Sequence, residues 1–493
     1  MKILLVYPKN PITYWSFDYA LKFISRKSAF PPLGLLTVAG MLPEKYEKKL
    51  VDLNVQPLKD NDILWADYVF ISAMTIQKKS TREIIDRCKS LKIKVVAGGP
   101  LFTDEFEKFN DVDHLILKES ELTIDDFIND LENGTVKHVY STDEWTDLSK
   151  TPLPLWRLIN IKKYATLNIQ YSRGCPFNCD FCEISYLYGH TPRTKSVSQL
   201  IHELDAIYET GWRGGVFFVD DNFIGNKKKL KEEVLPAMIE WTSERKNPFT
   251  FITEASINLA DDEEMMRLMV KAGFNSVFVG IETPNEDSLT ECCKTQNKNR
   301  ELVSCVKKIQ NFGMQVQGGF IVGFDNDKEN IFDKMINFIQ SSGIVTAMVG
   351  VLNAPKGTQL YNRMKAQGRL DGEFSGNNTS FAMNFVPKMD KEKLYVGYQK
   401  IIDTIYSPKV YYERVKNFLN EYNVSASQGH LKFNEVIALL KSMFRLGVLG
   451  QERVYYWKLF FWTLFKKPKA FSVAMTLTIM GYHFRKVFEN TVA

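Results

Sequence analysis

Asn168-Ile-Gln-Tyr-Ser-Arg-Gly174-Cys175-Pro-Phe-Asn-Cys179-Asp-Phe-Cys182 decides how this chain is read. An apolar strand-like run, 168–173, delivers three thiols in a Cys-x3-Cys-x2-Cys spacing, in a loop where Gly174 and Pro176 can bend the backbone tightly around a metal. Three thiolates can bind three irons of a cubane cluster, which leaves the fourth iron free to chelate a small molecule. The other reading is a structural zinc site. Zinc of that kind wants four ligands, and neither a fourth cysteine nor a histidine follows before His190.

Outward from the triad, apolar strand patterns recur near 168–173, 216–220, 250–255, 276–281, 316–322 and 346–352, separated by long amphipathic helices. Six such units predict a (β/α)6 partial barrel of the TIM type, with its chemistry in the loops at the carboxyl ends of the strands. Upstream, KILLVYP at 2–8, KLVDL at 49–53, YVFISA at 68–73, KVVAGG at 94–99 and HLILK at 114–118 alternate with helical patterns. They predict a parallel, doubly wound α/β sheet of Rossmann-like type, whose loops after Pro8, Ser72 and Gly98 share one crevice. The expected organisation is therefore an α/β domain over 1–135, a linker over 136–166 carrying Pro152 and Pro154, a barrel over 167–360 and a helical, aromatic-rich domain over 361–493.

A chain of 493 residues is longer than one core usually grows, and 45% hydrophobic with 25% charged residues fits packed domains and excludes disorder as the main description. A net charge of +5 is small for this size, so no nucleic-acid partner is expected. Seven unevenly spread cysteines make no disulfide framework and suit a reducing compartment. MKILLVYP lacks the long apolar core and cleavage site of a secretion signal, and the longest weakly polar stretch, Ala470 to Tyr482, is too short and too polar to span a bilayer. A cytoplasmic location is expected.

The triad, with an aromatic before its last cysteine, resembles the radical-SAM superfamily. The resemblance covers about 167–360 and implies a [4Fe–4S] cluster on Cys175, Cys179 and Cys182 that cleaves S-adenosylmethionine (SAM) reductively. It also implies SAM contacts. Val219-Asp220-Asp221-Asn222 stands where the family has a Gly-Gly-Glu turn for the methionine ammonium, Glu282 and Thr283 at its polar strand end, and Gly319-Phe-Ile321-Val-Gly323 at its GxIxG adenine element. Glu254 reads either as a satisfied barrel-lining carboxylate or as a substrate contact.

An α/β domain directly before such a barrel resembles the cobalamin-binding class of the superfamily. Pro31-Pro32-Leu33-Gly34-Leu35-Leu36, Ser72-Ala73-Met74 and Gly98-Gly99-Pro100 carry the match, with Ser72 bonding the nucleotide tail and Gly98 and Gly99 letting it pass. A CheY-like domain that merely holds the barrel is the alternative. Where mutase-type domains carry Asp-x-His-x-x-Gly, this chain reads Pro8-Lys9-Asn10-Pro11, and His114 starts the fifth strand at the wrong end of the sheet. Cobalamin is therefore expected without a histidine axial ligand, which should favour methyl transfer to a substrate radical.

Residues 360–493 interleave Tyr411, Tyr412, Tyr455, Tyr456, Trp457, Phe460, Phe461, Trp462 and Phe465 with lysine and arginine. They read as a helical cap packed on the barrel, or as a wall for a large apolar substrate or a surface helix at a membrane. In overall layout, including DLNVQPLKD at 52–60, the chain is similar to the hopanoid C-methylase branch. The resemblance implies a cobalamin-dependent radical-SAM C-methyltransferase acting on an unactivated carbon of a small-molecule or lipid-like substrate. It also implies an electron donor such as flavodoxin or ferredoxin. A cyclase or rearrangement enzyme with the same cofactors, and a non-catalytic cobalamin or SAM sensor, are the alternatives.

Overall fold

The computed structural model describes residues 1–377, 379–423 and 433–491. Strands β1 (Lys2–Tyr7), β2 (Glu47–Asp52), β3 (Tyr68–Ser72), β4 (Lys94–Gly98), β5 (His114–Ile116) and β6 (Val139–Tyr140) form one parallel sheet in the order β2-β1-β3-β4-β5-β6. The apolar runs are buried because helices cover both faces, as a parallel sheet requires. The chain leaves β1 for β2 on one side and returns to β3 on the other, so a crevice opens at the carboxyl ends of β1 and β3. Strand β6 was not legible: two residues carry no periodicity, and Val139–Tyr140 pairs beside Leu115–Ile116 in a stretch that reads as linker.

The second sheet comprises β7 (Thr166–Ile169), β10 (Gly215–Phe218), β11 (Thr250–Glu254), β12 (Phe274–Glu282), β13 (Gln315–Val322) and β14 (Ala347–Val351), all parallel, in the order β14-β13-β12-β11-β10-β7. Between β7 and β10, β8 (Ser172–Arg173) pairs antiparallel with β9 (Arg193–Thr194). The single strand expected over 168–173 thus breaks after Ile169. The six large strands do not close on themselves, which makes a partial barrel. Local signals fix its helices. Glu263–Ala272 starts at Asp262, whose carboxylate accepts from Met265 N at 3.0 Å, buries Met265, Met266, Met269 and Ala272, and stops at Gly273 with φ +108.

Helices Lys391–Tyr406, Pro408–Glu421, Phe433–Arg445, Arg453–Lys466 and Phe471–Thr491 follow the barrel. The last returns to the amino-terminal segment, where Phe484 stacks on Tyr14 at 4.3 Å and His483 bonds Tyr14 O at 3.0 Å. No described helix is long and apolar enough to cross a membrane. Buried ion pairs join the β8–β9 ribbon to the segment after β5 of the first sheet: Arg173 reaches Glu119 at 2.8 Å and Glu121 at 2.7 Å, and Arg193 reaches Glu119 at 2.9 Å. On another side Glu373 accepts from Lys78 at 2.9 Å and Lys108 at 2.7 Å, tying the segment after the barrel to the first sheet.

Candidate active site

The β8–β9 pairing clamps the base of the cysteine loop. Gly174 sits at φ +92, and a Cβ there would meet three backbone oxygens, of Thr191, Gly189 and Tyr188, within 3.1 Å, so the loop can turn only at glycine. Cys175 N donates to Gly189 O at 3.2 Å, Asp180 N to Cys292 O at 3.1 Å, and Arg363 holds the Asp180 carboxylate at 2.7 Å. Phe181, the aromatic of the motif, packs edge-on against Phe324 at 6.5 Å, which seats the loop over the end of β13.

Cys175, Cys179 and Cys182 lie close enough to feel one another's charge. Burial pushes all three thiols up, Cys182 to about 12, so a cationic centre is needed to hold them as thiolates. Among the described residues no three ligating side chains converge on one point at single-ion spacing. A cubane takes one cysteine per iron, so three thiols on one loop are the donor set for such a cluster with its fourth iron left open.

Lys294 is the residue that the sequence reading missed. Its ammonium donates to Glu282 at 2.6 Å inside the site, and Gln296 Nε2 approaches Cys179 Sγ at 3.7 Å. Burial pushes Lys294 down, but Glu282 and Cys179 outweigh it and hold it above the ordinary lysine range. No local motif marks such a lysine, because it becomes part of the site only through the loop after β12. Glu282 itself adopts φ +63, the left-handed region that costs a non-glycine residue energy, and Asn297 Nδ2 pins the strand end by donating to Gly280 O and Ile281 O at 3.0 and 2.9 Å.

The other expected SAM contacts divide. Asp220 is buried and accepts from Tyr171 N at 3.1 Å and from Ser172 N and Oγ, so its carboxylate ties the turn to the start of the cysteine loop. Asn222 Oδ1 accepts from Ser256 N at 3.2 Å, and Thr283, fully buried, accepts from Asn285 N at 3.3 Å; both brace turns. Asp221, with Val219 of the same turn, lines the crevice, and its carboxylate accepts from Gly174 N at 2.9 Å. The Glu254 side chain makes no hydrogen bond or ion pair with any described residue, and burial, then Asp221 and Asp220, push its carboxyl up to about 8. It is not the satisfied carboxylate of the first reading. At Gly319 a Cβ would meet the Phe278 ring at 2.8 Å, so packing within the barrel already requires glycine there; Ile321 is half-buried on the same strand and Gly323 sits at φ +103.

Between the two sheets lies a cavity of about 720 Å³. Ser72, Gly98 and Gly99 line it from the first sheet, Asp221 and Phe217 from the second. Among the described residues no histidine lines it; His114 is buried elsewhere, its Nδ1 on Lys137 O at 2.7 Å. The cavity fits a large amide-fringed ring. The buried side-chain carbonyl oxygens of Asn10 and Asn168, both on its wall, have no hydrogen-bond partner among the described residues, and a side chain at Gly34 would enter open space. Gly98 is different: a Cβ there would meet Ile116 O at 2.6 Å, so its glycine is demanded by the sheet itself.

Residues 22–128 match the B12 binding domain, 169–339 the radical SAM superfamily and 358–493 a domain of unknown function (DUF4070). An uncharacterized methyltransferase of Synechocystis is 39% identical, covering 99% of this chain and 92% of that one. The hopanoid C-2 methylase of Rhodopseudomonas palustris is 31% identical, covering 93% and 88%. The solved structure of the cobalamin-dependent S-adenosylmethionine radical enzyme OxsB, with aqua-cobalamin and SAM bound, superposes with a TM-score of 0.65 at 16% identity, covering 100% of this chain and 79% of that one, and shares the fold.

Proposed function

The chain belongs to the cobalamin-dependent radical SAM methyltransferases, and from that premise we propose that it methylates an unactivated carbon of a large apolar, lipid-like small molecule. The enzyme uses a [4Fe–4S] cluster, SAM and cobalamin. When bound, the reduced cluster supplies the electron that opens a carbon–sulfur bond of SAM, and cobalamin supplies the methyl group.

In this reading Cys175, Cys179 and Cys182 hold the cluster. Pro176 and Asn178, exposed on the same loop, leave room for an electron donor such as ferredoxin or flavodoxin. Lys294 faces the methionine carboxylate, while Asp221 and Glu254 attract the ammonium and sulfonium charges of SAM. Ser72, Gly99, Asn10 and Asn168 hold cobalamin across the crevice, with Gly98 keeping the strand end flat beneath it. Asp220, Asn222, Thr283, Gly319, Ile321 and Gly323 support these contacts from behind.

One observation carries the choice of an apolar substrate. Trp15, Phe30 and Phe217 present aromatic rings at the junction of the two sheets, Phe30 against Phe217 at 5.5 Å and Trp15 against Phe278 at 5.3 Å. A wall of this kind excludes water and offers apolar contact to a ring system. The Rhodopseudomonas relative, named for a hopanoid, points the same way. The test is to bind candidate polycyclic lipids and polar metabolites to the anaerobically reconstituted enzyme. Saturable binding of the lipids, weakened by Phe217→Ala, supports the reading; binding of polar metabolites alone refutes it.

A further inference from the structure

Helix Arg453–Lys466 carries apolar residues on its outward as well as its buried side. Tyr456, Leu459 and Thr463 face inward and are buried, yet the opposite side carries Val454, Phe461 and Phe465, with Phe465 75% exposed. Phe465 stacks on Phe461 at 6.4 Å, Phe461 on Trp457 at 5.7 Å, and Trp457 Nε1 bonds Gly447 O at 2.9 Å. The row therefore reaches Gly447, and the next residues, Val448 and Leu449, are exposed too, the latter 67%. Beyond that turn, Val436, Leu440 and Phe444 repeat every fourth residue along helix Phe433–Arg445, with Phe444 62% exposed. Scattered exposed apolar side chains need no explanation, but a contiguous stripe over two helices does.

Charge identifies the occupant. Between Val436 and Ala470 there are seven lysines and arginines and one acid, Glu452, a net +6 in a chain whose total is +5. Glu452 is buried and spent on Arg485. Arg453, Lys458, Lys466 and Lys469 border the apolar row and form no ion pair with any described residue. Exposed phenylalanine and leucine flanked by unpaired cations suit a surface that is apolar inside and anionic at its face.

We propose that these two helices lie on an anionic lipid bilayer, with Leu449, Phe461 and Phe465 entering the acyl boundary and the lysines meeting headgroup phosphates. No described helix is long and apolar enough to cross a membrane, so the attachment is peripheral. It does not depend on which substrate the active site accepts, and it stands or falls separately.

Co-sedimentation of the full-length enzyme with vesicles of phosphatidylcholine alone, or mixed with phosphatidylglycerol, is the test. The mixed vesicles are expected to bind more tightly, with an advantage that shrinks as salt is added. Phe461→Ser with Phe465→Ser should weaken binding about tenfold per phenylalanine, since withdrawing one such side chain from an apolar medium shifts the equilibrium by at least that factor. Lys458→Glu with Lys466→Glu and Lys469→Glu, which leaves the apolar row in place, should abolish the preference for phosphatidylglycerol. Equal sedimentation of wild type and both variants overturns the proposal. So does a solution dimer that the phenylalanine substitutions dissociate while vesicles stay unbound, because the row would then be covered by a second copy.

Discussion

Lys294 and Glu282 form a buried ion pair of 2.6 Å beside Cys179, on a residue whose backbone is held at φ +63. Removing one partner of such a pair strands the other in a low-dielectric site. Lys294→Met should therefore lower the unfolding free energy by about 3–5 kcal/mol. The double variant Lys294→Met with Glu282→Gln should regain most of that in denaturant melts. SAM binding should be lost in both, since the cation for the methionine carboxylate is gone. If the double variant binds SAM as wild type does, the pair is only structural.

Iron content separates the cysteines. Cys175→Ala, Cys179→Ala or Cys182→Ala should each abolish the cluster of about four irons per chain. Cys88, Cys292, Cys293 and Cys305 should tolerate alanine with the iron retained. Cys292 is the demanding control, because it is fully buried behind the loop and its carbonyl accepts from Asp180 N at 3.1 Å. Among the described residues its side chain bonds only Leu289 O, at 3.7 Å, so removal of the sulfur leaves the loop's support in place.

Gly34 is the clean position from which to block the crevice. A Cβ there meets no atom within 4 Å, and a helix tolerates the replacement of glycine well. Gly34→Trp should fold normally and fail to take up hydroxocobalamin, measured by its visible spectrum. Substitution of Gly98 would strike Ile116 O and damage the sheet, so its effect on binding would not report on the nucleotide tail. His114→Ala should leave the cobalamin spectrum unchanged.

Glu254 should give the site a pH signature. With a value of about 8 it holds a proton in the folded protein that the unfolded chain releases above the ordinary carboxylate range. Stability therefore falls as pH rises between that range and about 8, and Glu254→Gln should flatten this slope in melts. SAM carries positive charge and favours the ionised form. Its affinity should rise with pH up to about 8 in the wild type, by at most about tenfold per pH unit, and change little in Glu254→Gln. A slope that persists in the variant assigns the proton to Asp220 or Asp221.

The parts that sequence made legible are those governed by local chemistry. Both sheets follow from apolar runs with helical spacers, and the cysteine loop announces itself by spacing alone. Ser72, Gly98 and Gly99 share a crevice because strand ends in a doubly wound sheet must. What stayed hidden depends on contacts distant in sequence. Asp220 looked like a ligand for SAM, but the start of the cysteine loop, 48 residues earlier, consumes its carboxylate. Lys294 reaches the cysteines only because the loop after β12 folds back, and Gly319 is glycine for Phe278 on the neighbouring strand. In the aromatic tail Tyr411, Tyr412 and Tyr456 are core, as a packed helical cap requires, whereas Phe461 and Phe465 face outward, a division that composition alone does not reveal.

The most direct test is methyl transfer itself. The reconstituted enzyme is incubated anaerobically with reductant, cobalamin, polycyclic lipid and SAM bearing a trideuterated methyl group, and the products are weighed by mass spectrometry. Expected is a lipid that has gained a trideuterated methyl group, formed together with 5′-deoxyadenosine and lost when cobalamin is omitted or Cys179 is replaced by alanine. Formation of 5′-deoxyadenosine with no labelled methyl in any product, or labelling that continues without cobalamin, would contradict the assignment.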